Sequence, residues 1–292
     1  MIPLAKPWFD GKEAKVAAEV INSGMLIQGP IVEKFEKAFA EKIGVKHAVA
    51  VNSGSSALLI AQQILKIGLG DEILVPDMTF VSTASSSMYL GARPEFVDIN
   101  LTDYCIDIAQ IEKHITPRTK AIIPVHYAGQ SAEMLDILML ADAYDLYVIE
   151  DAAEAHLAKY QGECVGGIGD IGIFSFTPSK PMVTGEGGMI TTNRVDLAQK
   201  ARLVRNFYDV SKFEWSGLGF NFRMMDINAA IGLVQLQKLE KAIELRRRIA
   251  KTYTDEFSAV EGIIPPATPR DCIFQLYTIR LEGLSISRDT FI

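Results

Sequence analysis

The sequence predicts an α/β fold in which helices cover both faces of a mostly parallel β-sheet. Short apolar and β-branched runs alternate with amphipathic stretches along much of the chain, an order typical of strand–helix–strand units. Several of the runs are almost continuously apolar, which indicates strands that are buried on both sides. The 292 residues suffice for one large domain and a smaller one.

The individual elements follow from the length and period of these patterns. The predicted strands are His47–Val51, Ile73–Val75, Glu95–Ile99, Ala121–Val125, Leu146–Glu150, Ile171–Phe176 and Met189–Thr192. The predicted helices between them are Ser55–Ile67, Val81–Leu90, Ala109–His114 and Ala132–Tyr144. Helices that separate consecutive strands favour parallel pairing, because parallel strands need a long crossover connection.

A longer helix is predicted from Asp226 to Phe257, where apolar residues recur at helical spacing. It carries the triplet Arg246-Arg247-Arg248. We interpret this triplet as a solvated helix face, and contact with an anion is the alternative.

The last part of the chain predicts the start of a second, smaller unit. A loop is marked by glycine and proline at Gly262, Pro265, Pro266 and Pro269. A strand is expected at Ile273–Leu281, and Ser287 is the expected cap of a helix that has no C-terminal cap before Ile292. We therefore predict a large domain over residues 1–240 and a small C-terminal domain that begins over 241–292 and is incomplete.

Composition excludes several classes of protein. With 49% hydrophobic and 22% charged residues the chain is expected to fold, and no uninterrupted apolar stretch is long enough to span a membrane. The first residues lack the apolar core of a secretion signal. A net charge of −7 disfavours nucleic-acid binding, and three scattered cysteines suit a reducing compartment. We expect a soluble cytoplasmic enzyme.

The first segment that can carry chemistry is Asn52-Ser53-Gly54-Ser55-Ser56-Ala57, which follows a strand and opens a helix. Backbone N–H groups at a helix start, together with small hydroxyl side chains, form a suitable cradle for a phosphate group. The alternative is a capped turn with no ligand. The spacing matches neither a P-loop nor GxGxxG.

A second segment, Val148 to His156, places acidic residues at the carboxyl end of a predicted strand, where ligands bind in open α/β sheets. Asp151 could hold a proton on the ring nitrogen of a cofactor, or it could cap a helix. In a third segment, Phe174 to Gly188, Lys180 follows an apolar strand and precedes a glycine-rich turn. A desolvated lysine can form an imine, whereas most lysines are surface groups.

No metal site is predicted, because His47, His114, His126 and His156 lack the partner spacing of metal-binding motifs. A hydrogen-bonded structural histidine is the favoured interpretation for each. His126 and His156 are the strongest candidates for another role. A GxSxG motif is absent as well, which excludes that type of serine hydrolase.

Together these segments resemble the pyridoxal-phosphate-dependent sugar aminotransferases of the DegT/DnrJ/StrS family, which have fold type I of the aspartate aminotransferase superfamily. The most specific match is FSFTPSKPMVTGEGG, which is similar to the family pattern SFxxxKxxxxGEGG. The other matching segments, in chain order, are SGMLIQGP, VNSGSSAL, DMTFVST, PVHYAGQ, IEDAAEAH and GFNFRMMDINAAIGLVQL. Within the family, the sequence most resembles perosamine synthase-like enzymes, which make 4-amino-4,6-dideoxy sugars.

The resemblance implies pyridoxal 5'-phosphate as cofactor and a role for each matching residue. Lys180 is expected to form the internal aldimine and to move the proton during transfer. Asp151 is expected to pair with the pyridinium nitrogen. The remaining cofactor-binding residues implied are Phe80 on the ring face, Glu154 near the ring, Ser55, Ser56 and Ser175 on the phosphate, and Asn221 reaching the phosphate from a neighbouring subunit.

The function implied is transfer of an amino group, with glutamate as donor, to a nucleotide-linked keto sugar in polysaccharide biosynthesis, by a homodimer. Two alternatives remain open. The first is a sugar dehydratase of the same fold, against which Lys180 argues because related dehydratases carry histidine at that position. The second is a regulatory, non-catalytic member of the family.

Overall fold

A seven-stranded sheet forms the centre of the computed structural model, which describes residues 5–211, 214–283 and 288–291. Within these ranges the helices are α1 (Lys12–Ser23), α2 (Pro30–Ile43), α3 (Gly54–Ile64), α4 (Val81–Tyr89), α5 (Ile108–His114), α6 (Met134–Tyr144), α7 (Val195–Arg205), α8 (Asp226–Phe257) and α9 (Arg288–Phe291), with a short 3₁₀ turn at Tyr127–Gly129. The strands are β1 (His47–Val51), β2 (Glu72–Pro76), β3 (Arg93–Val97), β4 (Thr119–Ile122), β5 (Tyr147–Asp151), β6 (Lys159–Tyr160), β7 (Glu163–Cys164), β8 (Ile171–Ser175), β9 (Gly188–Thr192), β10 (Asp209–Ser211), β11 (Glu214–Trp215), β12 (Ile263–Ile264) and β13 (Arg280–Leu281).

The central sheet has the strand order β1-β9-β8-β5-β4-β2-β3. Strand β9 runs antiparallel to both of its neighbours, and the pairs from β8 to β3 are all parallel. The prediction of a mostly parallel sheet is therefore confirmed.

Two apolar cores lie on the two faces of this sheet, because side chains alternate along each strand. On β1, Ala48 and Ala50 belong to a core with side chains of α2, α6 and α8. Val49 and Val51 belong to a second core with side chains of α3 and α7. The structure is thus three layers, helix–sheet–helix, as the sequence predicts.

Most predicted elements are present with small shifts at their ends. The predicted strand Glu95–Ile99 is observed as β3, which begins and ends two residues earlier. The predicted strand Ala121–Val125 is observed as β4, which ends at Ile122, and Val125 forms a single β-bridge to Asp151. The long helix has the predicted bounds. Helices α1, α2 and α7 were not predicted from the sequence.

The strand predicted at Ile273–Leu281 is wrong over most of its length, since β13 occupies two residues of that range. Phe274 has φ 52°, a left-handed conformation that no β-strand accommodates. The amides on either side of it instead bind the 3₁₀ turn: Ile273 N donates to Gly129 O (3.0 Å) and Gln275 N to Ala128 O (2.8 Å). The predicted cap Ser287 lies outside the described residues.

The interpretation of the arginine triplet as a solvated face is wrong for Arg246, whereas Arg247 and Arg248 are exposed. The Arg246 guanidinium is half-buried and donates to the carbonyls of Phe274 (3.3 Å) and Gln275 (3.1 Å). Arg247 pairs with Asp271 at 2.5 Å. Both arginines therefore fasten the segment 271–275 to α8. The predicted boundary between residues 240 and 241 lies inside α8, and the division into two domains stays a prediction.

Among the described residues, no helix combines the length and the apolar character that crossing a bilayer requires.

A single carboxylate joins the N-terminal ends of α2 and α8. Asp226, the first residue of α8, accepts hydrogen bonds from the amides of Gly29 (2.9 Å), Val32 (2.9 Å) and Ile31 (3.3 Å). It thus caps α2, whose own N-cap residue Gly29 has no side chain to do so. A Cβ on Gly29 would lie 2.7 Å from Asp226 Oδ2, so a larger residue here would displace the capping carboxylate.

We expect Asp226→Asn to lower the free energy of unfolding by about 1–3 kcal/mol, because an amide offers one acceptor instead of two and loses the charge at two helix N-termini. Urea denaturation measures the change. Glu19→Gln, at an exposed position of α1, is the control and should change stability by less than about 0.5 kcal/mol. Equal effects of the two substitutions would contradict the capping role.

Candidate active site

Three segments that are far apart in the sequence meet at one edge of the sheet. Asp151 ends β5 and Ser175 ends β8, and these strands are parallel neighbours, so both residues lie at the same edge. The first turn of α3 packs against that edge. A Cβ on Gly54 would lie 2.9 Å from Ser175 Cβ, so only glycine permits this approach.

Lys180 lies in the turn that follows β8 and points inward. Its side chain is 15% exposed, and its Nζ lies 3.1 Å from Glu154 Oε1. The interpretation of Lys180 as an ordinary surface lysine is therefore wrong. Glu154 is itself held by its other oxygen, which accepts a hydrogen bond from Ala128 N at 2.9 Å. The backbone beside the lysine is fixed too, since Gln275 Nε2 donates to Ser179 O at 3.0 Å.

Asp151 is a buried carboxylate, 5% exposed. Its Oδ2 accepts from the Thr83 hydroxyl at 2.9 Å and its Oδ1 from Ala153 N at 3.1 Å. Burial raises the pKa of Asp151, and the bond from Thr83 opposes that rise. Residues 152–158 form turns, so the interpretation of Asp151 as a helix cap is wrong.

Thr83 is a site residue to which the sequence analysis assigned no role, although it lies within the matching segment DMTFVST. It is fully buried in the first turn of α4. The sequence carries one hint of this contact, since Thr79 and Thr83 place two hydroxyl side chains around the start of the predicted helix Val81–Leu90. Phe80 immediately precedes α4 and is 72% exposed, so its ring is accessible to a ligand.

The turn before α3 is a capped turn, and its predicted binding of a phosphate stays a prediction. The Ser53 hydroxyl accepts from Ser56 N at 3.1 Å and caps the helix. Ser56 Oγ donates to Asn52 Oδ1 at 2.6 Å, so both polar groups of Ser56 are used within the turn. Ser55 is exposed, with its Oγ 2.6 Å from Ser82 Oγ. Ser55, rather than Ser56, thus presents a hydroxyl toward solvent at the start of α3.

Asn221 is exposed and lies next to the same turn. Its carbonyl accepts a 3.5 Å hydrogen bond from Asn52 Nδ2. Both residues line a cavity of about 390 Å³ together with Arg223 and Asn228. The structure therefore places Asn221 near α3 of its own chain, and its predicted reach into a neighbouring subunit stays a prediction.

Glu150 points to the opposite side of β5 from Asp151 and is fully buried. It accepts from His126 Nε2 (3.0 Å) and from three backbone amides of the loop 166–169 at 2.7 Å. His126 Nδ1 accepts from Ala132 N at 3.0 Å, which places the ring proton on Nε2. The prediction of a hydrogen-bonded structural histidine is confirmed for His126.

His156 does not fit that prediction. It is fully buried against the rings of Phe174 and Phe176, at centroid distances of 5.3 and 5.8 Å. Neither ring nitrogen has a hydrogen-bond partner of normal geometry within the described part of the chain. Burial, followed by the positive charge of Lys180, lowers the pKa of His156 to about 3, so the ring is neutral near pH 7.

Comparison with known proteins assigns the chain to a family. The model of the DegT/DnrJ/EryC1/StrS aminotransferase family matches residues 8–292. The chain belongs to this family. GDP-perosamine synthase of Caulobacter vibrioides is 43% identical over 298 residues, an alignment that covers 100% of this chain and 80% of that enzyme.

Solved structures agree with this assignment. S. venezuelae DesV, crystallised in complex with a ketimine intermediate, has a TM-score of 0.92 and 34% identity, over 98% of this chain and 79% of DesV. GDP-4-keto-6-deoxymannose-3-dehydratase, crystallised with a trapped PLP-glutamate geminal diamine, has a TM-score of 0.94 and 28% identity, over 99% and 82% of the two chains. These findings confirm the predicted family, the fold type, the aminotransferase class and pyridoxal phosphate as the cofactor.

The residues present fit that cofactor. A buried carboxylate whose pKa is raised gains most from a cation beside it, and a protonated ring nitrogen is such a cation. The exposed ring of Phe80 offers a stacking surface. The N-terminus of the 11-residue helix α3, with the Ser55 hydroxyl, offers donors for a phosphate.

We expect the variant His156→Phe to lose less stability than the wild-type protein when the pH is lowered. Since the folded pKa of about 3 lies below the ordinary value of 6.5, the unfolded chain binds one more proton between these values. As the pH falls through that range, the free energy of unfolding of the wild-type protein should decrease by about 1.4 kcal/mol per pH unit more than that of the variant. Urea denaturation at several pH values measures both slopes, and equal slopes would contradict a buried neutral His156.

Proposed function

We propose that this protein transfers an amino group to a keto sugar attached to a nucleotide, with pyridoxal phosphate as the cofactor. The observation that carries the proposal is that an inward-pointing lysine, Lys180, and a buried carboxylate, Asp151, lie at the same edge of the sheet, where the charge of the lysine acts on Asp151. Bound pyridoxal phosphate supplies an aldehyde that condenses with amines and a ring that takes up electrons. The 43% identity to GDP-perosamine synthase supports a nucleotide sugar as the acceptor substrate.

Asp151 keeps the ring nitrogen protonated in this proposal, which makes the ring a stronger electron acceptor. It remains ionised because the opposite charge lies beside it, which offsets the cost of its burial. Phe80 covers the ring face and fixes its orientation. Ser55, Ser175 and the amides at the start of α3 hold the phosphate, and Ser56 joins them only if its hydroxyl leaves Asn52.

Lys180 Nζ is the group that takes up and returns the substrate proton. An amine attacks an aldehyde only when it is neutral, and in the free protein Lys180 Nζ lies 3.1 Å from the carboxylate of Glu154. Glu154 therefore orients the free lysine and gives up the ion pair when Lys180 reacts. Its second contact, to Ala128 N, keeps the Glu154 carboxylate in place after the pair has separated.

Glutamate is the amino donor that we propose, and a homodimer is the active form. The dehydratase that was trapped with a PLP-glutamate adduct supports the donor by similarity. Asn221, exposed beside the α3 turn, is the residue through which we expect one subunit to contact the phosphate held by the other. Three free cysteines among the described residues agree with the cytoplasm as the compartment.

The function is tested with glutamate and a panel of nucleotide-linked keto sugars, analysed by mass spectrometry. We expect one sugar to exchange its keto oxygen for an amino group. A product that loses a hydroxyl oxygen and gains no nitrogen would identify the alternative, a dehydratase. Turnover of no sugar by cofactor-loaded protein would overturn the proposal.

The covalent role of Lys180 has its own test. After reduction with borohydride and proteolysis, the mass of the cofactor should be found on the peptide that contains Lys180, because the reduced bond no longer hydrolyses. Lys180→Ala should abolish this labelling and activity, whereas Lys200→Ala, on α7, should leave both unchanged. Label on another lysine of the wild-type protein would contradict the assignment.

Asp151→Asn should retain bound cofactor but slow the half-reaction with glutamate by about 10² or more, because a neutral amide does not keep the ring nitrogen protonated. Stopped-flow absorbance of the cofactor measures this rate. The control is Asp136→Asn, at an exposed position of α6. A normal rate in Asp151→Asn would exclude Asp151 as the partner of the ring nitrogen.

A further inference from the structure

Two threonine hydroxyls connect the loop after β2 to the buried carboxylate of Asp151. Thr83 Oγ1 lies 2.9 Å from Asp151 Oδ2, and Thr79 Oγ1 lies 2.8 Å from Thr83 Oγ1. Thr83 is fully buried and Thr79 is half-buried. The hydroxyl of Thr83 is therefore shielded from water and has neighbours on both sides.

The direction of the hydrogen bonds follows from counting protons. An ionised carboxylate only accepts, so Thr83 gives its single proton to Asp151. Thr79 must then be the donor to Thr83. This order is compatible with an ionised Asp151, and each bond in such a chain polarises the next.

Thr83 also holds the residue that faces the cofactor ring. Its backbone N–H donates to Phe80 O at 3.0 Å, in the first turn of α4. Thr79 directly precedes Phe80 in the chain. One residue thus contacts the carboxylate through its side chain and the Phe80 backbone through its amide, which fixes the two ring contacts relative to each other.

We propose that Thr83, supported by Thr79, is a positioning residue that keeps Asp151 ionised and aimed at the ring nitrogen while holding Phe80 in register. This role rests on the proposed function. It adds Thr83 to the site residues that were predicted from the sequence.

The other groups around Asp151 do not supply the same interaction. Ala153 N binds the other carboxylate oxygen. Lys180 favours ionisation of Asp151 through its charge, whereas Glu154 opposes it. Burial has the largest influence on the pKa of Asp151 and raises it. Among the influences that lower this pKa, the hydrogen bond from Thr83 is the largest. Removal of this bond should thus favour the protonated acid.

The test compares Thr83→Val, which keeps the shape and removes the hydroxyl, with Thr83→Ser, which keeps the hydroxyl. Carbon-13 NMR of carboxyl-labelled protein without cofactor follows the titration of Asp151, identified by its loss in Asp151→Asn. We expect the midpoint to rise in Thr83→Val, to rise less in Thr79→Val, and to return toward the wild-type midpoint in Thr83→Ser. Thr191→Val, which removes another buried hydroxyl on β9, should leave the midpoint unchanged.

Loaded with pyridoxal phosphate labelled with nitrogen-15 in the ring, Thr83→Val should lose ring-nitrogen protonation at lower pH than the wild type. Its half-reaction with glutamate should slow about tenfold or more. A Thr83→Val midpoint equal to that of the wild type would overturn the proposal. If Thr83→Val does not fold, an unshifted midpoint in Thr79→Val would overturn it.

The result for Thr83 can be distinguished from the result for the proposed function. The titration without cofactor reports on the hydroxyl pair even if no sugar substrate is found. Failure of the wild-type protein to bind pyridoxal phosphate would instead count against the function, whatever the midpoints.

Discussion

The burial of the Asp151 carboxylate is the constraint around which the site is organised. An anion at a water-excluded sheet edge is unfavourable unless donors or a cation compensate for its lost hydration. Within the described residues the compensation consists of the Thr83 hydroxyl, the Ala153 amide and the nearby charge of Lys180. A cation beside Asp151, such as the protonated ring nitrogen that we propose, would compensate for the hydration that these contacts do not replace.

Two adjacent carboxylates on β5 have different roles because a strand turns successive side chains to opposite sides. Glu150 faces the loop 166–169 and receives hydrogen bonds from three of its amides and from His126. It is a structural carboxyl group that fastens this loop to the sheet. Asp151 has fewer donors among the described residues, and it is the carboxylate that we propose as the partner of the ring nitrogen.

The parts of this architecture that depend on local pattern could be predicted from the sequence. Apolar runs located the strands, helical spacing located α8, and the order of the matching segments led to Lys180 and Asp151. The position of a residue at the end of a strand also sufficed to place Asp151 and Ser175 at one edge, because neighbouring parallel strands end together.

Features that depend on long-range contacts could not be predicted in this way. The capping of α2 by Asp226 joins residues 197 positions apart. The bonds from Arg246 to the carbonyls of Phe274 and Gln275 turned an expected solvated face into an internal contact. The role of Thr83 depends on Asp151, 68 residues away. The strand expected at Ile273–Leu281 failed because tertiary bonds to the 3₁₀ turn outweigh β propensity.

The contact between Gln275 and Ser179 has a mechanical consequence. The segment 271–275 is clamped on one side to α8 by arginines and on the other to the backbone beside Lys180. The peptide unit that precedes the lysine is thus held by a contact that does not involve the sheet. The stiffness of the lysine turn is thus set partly by residues nearly a hundred positions downstream, and loosening the clamp would soften the turn while leaving the strands intact.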